Sequence, residues 1–303
     1  MSSNPRTFVF RGYLFQFYAV QTLVVVLRIL PLSLSGWIMK RMANLFFYCS
    51  SKRRNIALDN LTIAYGDTLF AGQKIKIARR SFESQALSIL ELFVIRKMKK
   101  NAARRFSITG QQHFDEAVAR GKGVVFVVSH FGSWEYMGFP GYLARYPHSA
   151  IVKSIKNPYL NKMIDALRRE TETLPILKEA NALRITLAEL RQNHGVAIVI
   201  DQWAGAEGLW VDFFGRATST TSFPARLAKK TGSALIPIYC LRKKIGQYEM
   251  RLLPEVPLPD DPEWAFLVTK RLNGMLESQI RQCPEQWSWN HRRWRPKPVG
   301  WMG

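Results

Sequence analysis

At 303 residues the chain is long enough for one large α/β core or two ordinary domains. Hydrophobic residues make up 47% of it and charged residues 22%, a balance that fills and covers a core and excludes a disordered chain. Lys and Arg number 44 against 22 Asp and Glu, a formal charge of +22, so the surface attracts phosphate as nucleic acid, lipid headgroup, phosphorylated carrier or nucleotide thioester.

The first fifty residues are the most apolar part. Between Arg11 and Arg28 lie sixteen uncharged residues, slightly short of the roughly 20 that cross a bilayer, and a second apolar stretch runs from Ile29 to Met39 before Lys40 and Arg41. A cleaved signal peptide fits poorly, because the charged start is thin and bulky apolar sequence follows where small residues belong. A short spanning helix, a helix or hairpin in the interface, and helices packed on a soluble core are the three alternatives. Interface attachment is the expectation, since the flank at 51–55, "SKRRN", suits an anionic, cytoplasmic-side surface.

Residues 56–106 have long helical character, with Ile75, Ala78, Phe82, Leu87, Leu90 and Val94 at three- and four-residue intervals. Gly110 to Gly123 reads as a turn, an amphipathic helix and another turn. Val124 to Val128 is five apolar residues in succession, which leaves no face for water and predicts a buried strand. Similar strands are expected at 197–200 and 234–239, and helices at 159–170, 181–192, 221–231 and roughly 262–281. Strands alternating with helices predict a parallel or mixed α/β sheet. Cys49, Cys240 and Cys283 form no CxxC or Cys/His cluster, so neither a zinc knuckle nor a disulfide scaffold is suggested.

The stretch "VVFVVSHFGSWEYMGF" at 124–139 sets His130 just past the carboxyl end of a predicted strand, the usual place for a site in an open α/β sheet. A turn over 131–134 would bring Glu135 toward the ring. Glu135 could then fix the imidazole tautomer and leave the other nitrogen as a general base, although a merely structural pair satisfies the same pattern. No HExxH spacing occurs, and neither His113 nor His148 completes a ligand set, so no metal is expected. Asp201 and Gln202 follow a second predicted strand and are candidates for the same rim. Thr220 or Thr221 is placed to cap the helix at 221–231, whose amides could instead receive an anion. Lys153, Lys156, Arg168 and Arg169 are either solvated charges or contacts for a phosphorylated substrate. The terminal "WNHRRWRPKP" could stack on bases, but no zinc-finger, helix-turn-helix or RNP-like signature accompanies it, so no nucleic acid is expected.

In order along the chain, "SHFGSWE" at 129–135, "KSIKNP" at 153–158, "VIDQWAG" at 199–205, "VDFFGRATSTTSFPARLAKKTGSALIPIY" at 211–239 and "WSWNHRRW" at 287–294 follow the apolar N-terminus. This series resembles the lipid A biosynthesis lauroyl/myristoyl acyltransferase branch of the lysophospholipid acyltransferase superfamily. The resemblance implies a membrane-associated helical segment over 1–50 and, over 51–303, a single large α/β domain whose parallel or mixed central sheet is flanked by helices. It also implies a place at the cytoplasmic face of the cell inner membrane. The activity implied is acyl transfer to a hydroxyl of an anionic glycolipid, with acyl carrier protein or coenzyme A thioester as co-substrate and no further cofactor. On that reading His130 takes the hydroxyl proton and Glu135 orients His130, without an acyl-enzyme intermediate. Lys153, Lys156 and Arg168 contact acceptor phosphate or position substrate, and Asp201 organises the site. Lys153 stands where the branch commonly has arginine, which keeps the charge and loses the bidentate fork. Backbone amides at 131–133 or 215–218 are the candidate oxyanion donors.

Overall fold

The computed structural model describes residues 5–178 and 181–296. Helices α1 (Pro5–Ile29) and α2 (Leu32–Cys49) meet at Pro31, which lacks the amide to continue a helix. The long helical tract after them divides. Helix α3 (Ser51–Tyr65) stops at Gly66, whose φ of +50° lets its amide turn back to the Thr62 carbonyl. Helix α4 (Ala71–Phe93) buries Ala78, Phe82, Leu87 and Leu90 as their spacing predicts, whereas Ile75 faces outward. Two short helices, α5 (Ile95–Lys99) and α6 (Ala102–Arg105), lead into the sheet.

The remaining elements alternate: β1 (Phe106–Thr109), α7 (Gln111–Ala119), β2 (Val124–Val128), α8 (Phe139–Ala144), β3 (His148–Val152), α9 (Pro158–Arg168), β4 (Thr173–Leu177), α10 (Ala182–Arg191) and β5 (Gly195–Val199). After β5 come a hairpin, β6 (Leu209–Phe213) and β7 (Arg216–Thr220), then α11 (Phe223–Thr231), β8 (Ala234–Lys244), β9 (Gln247–Leu252) and α12 (Trp264–Gln282). Seven strands form one mixed sheet in the order β1-β9-β8-β2-β5-β3-β4. The strands from β8 to β4 are parallel, and β9 with β1 runs against them.

Strand β2 lies in the middle and is buried on both faces, which is why its apolar run does not alternate. Val124 and Val128 join the core beneath α4, α7 and β9, while Val125 and Val127 join a second core beneath α11 and α12. A third cluster seals α2, α3 and α4 to the C-terminal segment, where Trp287 and Trp289 are almost wholly buried.

The expected strand at 197–200 lies at 195–199 and the one at 234–239 extends to Lys244. The hydroxyl-rich stretch before 221 is strand β7, not a helix start. Phe214 and Gly215, both with positive φ, make the two-residue turn that pairs it with β6. Thr220 is consequently buried in a strand, and Thr221 Oγ1 is the one that accepts the Phe223 amide (3.2 Å) at the helix start.

Candidate functional site

Parallel pairing of β2 with β5 aligns Val128 with Val199 and so brings the residues just beyond each strand to one edge of the sheet. His130 and Asp201, 71 positions apart, meet there. The Asp201 carboxylate takes the His130 backbone amide on Oδ2 (2.9 Å) and lies 2.9 Å from the ring Nδ1 through Oδ1. Trp287 donates its indole N–H to Oδ2 as well (2.9 Å). Three donors thus satisfy a carboxylate that is almost fully buried. A proton on Nδ1 makes its contact a hydrogen bond to carboxylate, and Nε2 is then a free acceptor without a bond to any described residue.

Burial alone would lower the His130 pKa, but the Asp201 charge and hydrogen bond outweigh it, and the ring sits above the ordinary imidazole value. For Asp201, burial works upward and is likewise overcome by His130 and the Trp287 hydrogen bond, so its pKa falls below the usual carboxylate range. Each group thus favours the charged form of the other, which makes the neutral imidazole a stronger proton acceptor and keeps the carboxylate ionised.

Glu135 does not reach His130. It lies on the single 3-10 turn Trp134–Tyr136, and its carboxylate grips Arg168 through two bonds, Oε2 to Nε (3.1 Å) and Oε1 to Nη2 (2.9 Å). The orienting acid is therefore Asp201, and the expected His130–Glu135 bond is absent among the described residues. The physical reason is strand register: the acid on the neighbouring strand is already in place behind the ring, and Arg168 at the end of α9 offers Glu135 a matching fork. For the same reason the Arg168 guanidinium commits Nε and Nη2 to the Glu135 carboxylate, while Nη1 lies 3.9 Å from Asp165 Oδ1. Lys153 and Lys156 are exposed in the loop after β3, whose carboxyl end lies on the same sheet edge as His130 and Asp201.

The turn after His130 is bound into the protein. Gly132 donates its amide to Gln286 O (2.8 Å), Ser133 donates to Cys240 O (2.7 Å), and Ser88 Oγ donates to Gly132 O (2.8 Å). Of the amides expected as oxyanion donors at 131–133 or 215–218, those of Gly132 and Ser133 are thereby occupied, and 215–218 lie in the turn and second strand of the β6–β7 hairpin.

The C-terminal segment supplies groups whose spacing in the sequence carried no sign of their position. Trp287 backs Asp201, and Asn60 on α3 donates to the carbonyls of Trp289 and His291 at 2.7 Å each. The His291 ring nitrogen Nε2 accepts the Trp203 amide (3.4 Å), and burial pushes its pKa down to about 4, so it stays neutral beside the pair. Arg293 is fully buried and donates to the carbonyls of Gln202 (3.2 Å) and Ser219 (2.6 Å), locking the loop that follows Asp201 to β7. Trp134 stands edge-on to His130, with ring centres 5.6 Å apart.

Chemically, this is an imidazole with a buried carboxylate behind it and a free nitrogen in front, able to take a proton from a hydroxyl. Among the described residues no group of three His, Cys, Asp or Glu side chains is placed to hold a metal ion.

The family model of bacterial lipid A biosynthesis acyltransferases matches residues 6–296. A lipid A biosynthesis acyltransferase of Haemophilus influenzae is 27% identical over 198 residues, covering 64% of this chain and 60% of the relative. A phosphatidylinositol mannoside acyltransferase of Mycolicibacterium smegmatis is 26% identical over 185 residues, covering 60% of each. The match thus spans about three fifths of the length of these two relatives. A lipid A biosynthesis palmitoleoyltransferase of Escherichia coli is 25% identical over 256 residues, 82% of this chain and 81% of the relative. Among solved structures, the 1-acyl-sn-glycerophosphate acyltransferase of Thermotoga maritima aligns with a TM-score of 0.38 and 14% identity over 81% of this chain and 97% of that one.

Proposed function

The chain belongs to the bacterial lipid A biosynthesis acyltransferase family, and on that premise we propose that it moves a fatty acyl chain from a thioester to a hydroxyl of a lipid A precursor or related glycolipid. The observation that carries this reading is the His130–Asp201 pair at the sheet edge, with Nε2 free. His130 Nε2 takes the acceptor hydroxyl proton as the oxygen bonds to the thioester carbonyl carbon. The C–S bond then breaks, and the imidazolium returns the proton to the leaving sulfur. Asp201 holds the tautomer and offsets the charge that forms on the ring. A thioester is already an activated electrophile, so the base need only sharpen an alcohol.

The donor in this reading is acyl carrier protein or coenzyme A thioester. Lys153 and Lys156, exposed at the same edge, receive acceptor or donor phosphate. The Glu135–Arg168 pair shapes the rim next to His130 instead of touching the acceptor phosphate directly. The protein works at the cytoplasmic face of the inner membrane, attached through α1 and α2. The mannoside-acylating relative favours one second reading, a glycosylated phosphoinositide as acceptor, which would use the same pair.

Purified full-length protein, incubated with acyl carrier or coenzyme A thioesters and a Kdo-bearing lipid A precursor, should release free thiol and raise the lipid mass by one acyl chain. His130→Ala should lower turnover by at least about 100-fold at unchanged folding. Undiminished turnover in that variant would remove His130 from the chemistry. Thiol release with a mannosylated phosphoinositide and none with the lipid A precursor would select the second acceptor.

A further inference from the structure

Attack of a hydroxyl on a thioester carbonyl drives an electron pair onto the carbonyl oxygen, and that charge needs a fixed hydrogen-bond donor. The nearest amides do not serve, since those of Gly132 and Ser133 are spent on Gln286 O and Cys240 O. The Arg168 fork is likewise spent on Glu135. A donor has to come from another part of the chain.

The C-terminal segment brings one. Trp287 binds Asp201 through its indole (2.9 Å), and four residues further on the backbone of His291 is fixed from two sides. Asn60 Nδ2 and the Arg293 amide both donate to His291 O, at 2.7 and 2.8 Å. Its ring is set against the loop that carries Asp201, because the Trp203 amide donates to Nε2 (3.4 Å). Arg293 anchors the same loop through Gln202 O.

That contact decides the tautomer. A backbone amide can only donate, so Nε2 must present its lone pair, and the proton of the neutral ring stands on Nδ1. Burial holds the ring neutral, with a pKa of about 4; Asp201 works against burial, and the charge on His130 works with it. Nδ1 bonds no described residue, and the ring is only half-buried, so the N–H is open to a ligand. Neutrality suits an oxyanion donor here, since a second cation would oppose the charge that forms on His130 when it takes the hydroxyl proton.

We infer that His291 Nδ1–H is the donor that stabilises the thioester carbonyl oxygen as the acceptor hydroxyl attacks. This rests on the acyl transfer proposed above and names a residue which that reading leaves unassigned. As the new O–C bond forms, the carbonyl π pair moves to the oxygen, which accepts from Nδ1. The pair returns as the C–S bond breaks, His130 gives its proton to sulfur, and His291 keeps its own. The segment 287–291 then serves the site twice, with Trp287 on the acid and His291 on the oxygen.

The test compares His291→Ala, His291→Asn and His291→Gln in the full-length chain, using a thioester and lipid acceptor that the wild type turns over. Asparagine sets an amide N–H near the position of Nδ1, whereas glutamine reaches the position of Nε2 and can only replace the contact to Trp203. Alanine and glutamine should lower kcat by about 10²- to 10³-fold with KM values within about threefold, and asparagine should stay within about tenfold of wild type. An acyl thioether, which has the chain and carrier but no carbonyl oxygen, should bind all four proteins within about twofold, and thermal melts check the fold. Activity restored by glutamine and not by asparagine overturns the inference, since the ring would then serve only to hold Trp203. Undiminished turnover in His291→Ala overturns it as well, and so does a loss of thioether affinity that matches the loss of turnover in every variant. A wild type that releases no thiol with any lipid acceptor defeats the acyl-transfer reading itself, and this inference with it.

Discussion

Asp201 spends both carboxylate oxygens on fixed donors, which in the proposed reaction suits a positioning acid and not a proton shuttle. In the proposed reaction the base is the neutral His130 ring, so activity should rise with pH through a midpoint above the ordinary imidazole value of about 6.5. Asp201→Asn removes the charge that raises His130, and the midpoint should move to lower pH. The asparagine amide can also donate to Nδ1 and leave the proton on Nε2, so turnover should fall roughly 10²- to 10⁴-fold at every pH. A pH–rate profile of the variant that keeps the wild-type midpoint would show that Asp201 does not act on the ring. The stability side has the opposite sense for His130: its raised pKa contributes stability that is full below about 6.5 and lost as pH rises through the folded value. The depressed Asp201 contributes above its unfolded value of about 3.9, and that contribution disappears as pH falls through the folded one.

At the scale of elements, the turn from β2 to the 3-10 helix is held from three sides, by Gln286, by Cys240 on β8 and by Ser88 on α4. Gly132 has a φ of +63°, and a Cβ there would stand 1.9 Å from the Cys240 carbonyl oxygen. Gly132→Ala should therefore cost at least about 2 kcal/mol and displace His130, lowering activity more than folded yield; thermal melts and turnover measured together check this. Behind Ser88 lies a buried ion pair in which Arg242 on β8 bonds Glu91 on α4 through Nε (2.5 Å) and Nη2 (2.8 Å) and also reaches Ser84 and Ser88. Glu91→Gln leaves that guanidinium buried without its counter-charge and should destabilise the fold by about 3 kcal/mol, read from denaturant midpoints. Much of this element plan was legible. The uniform apolar run of β2 and the helical spacing of α4 state their own burial. Strands β3 and β4 were not, because each is five residues long with mixed character and Pro175 interrupts β4. Strand β9 does alternate buried and less buried residues, a period-two signal that the neighbouring basic residues obscured.

The whole molecule joins an acid-free, apolar-faced start to a strongly basic body. Binding to anionic vesicles should weaken several-fold between about 50 and 500 mM salt, since exposed charges are screened within roughly 10 Å at 0.1 M, and should persist at a floor set by apolar contact. Co-sedimentation across a salt series measures both parts, and complete release at high salt would leave the apolar faces without a role. The residue types of the candidate site were readable in the chain: His130 and Asp201 each follow an apolar strand, and the ordered segments point to the family. The partner of His130 was not, because Glu135 is close along the chain and Asp201 is close only through the register of β2 on β5. Trp287, His291 and Arg293 come to the site from the far end of the chain for the same kind of reason. Local composition and periodicity by themselves determined that the strongly apolar runs such as Val124–Val128 are buried, since that depends on neighbouring residues alone. The pairing of polar groups was decided only by tertiary packing, because a hydrogen bond needs its partner within about 3 Å and chain separation does not measure that distance.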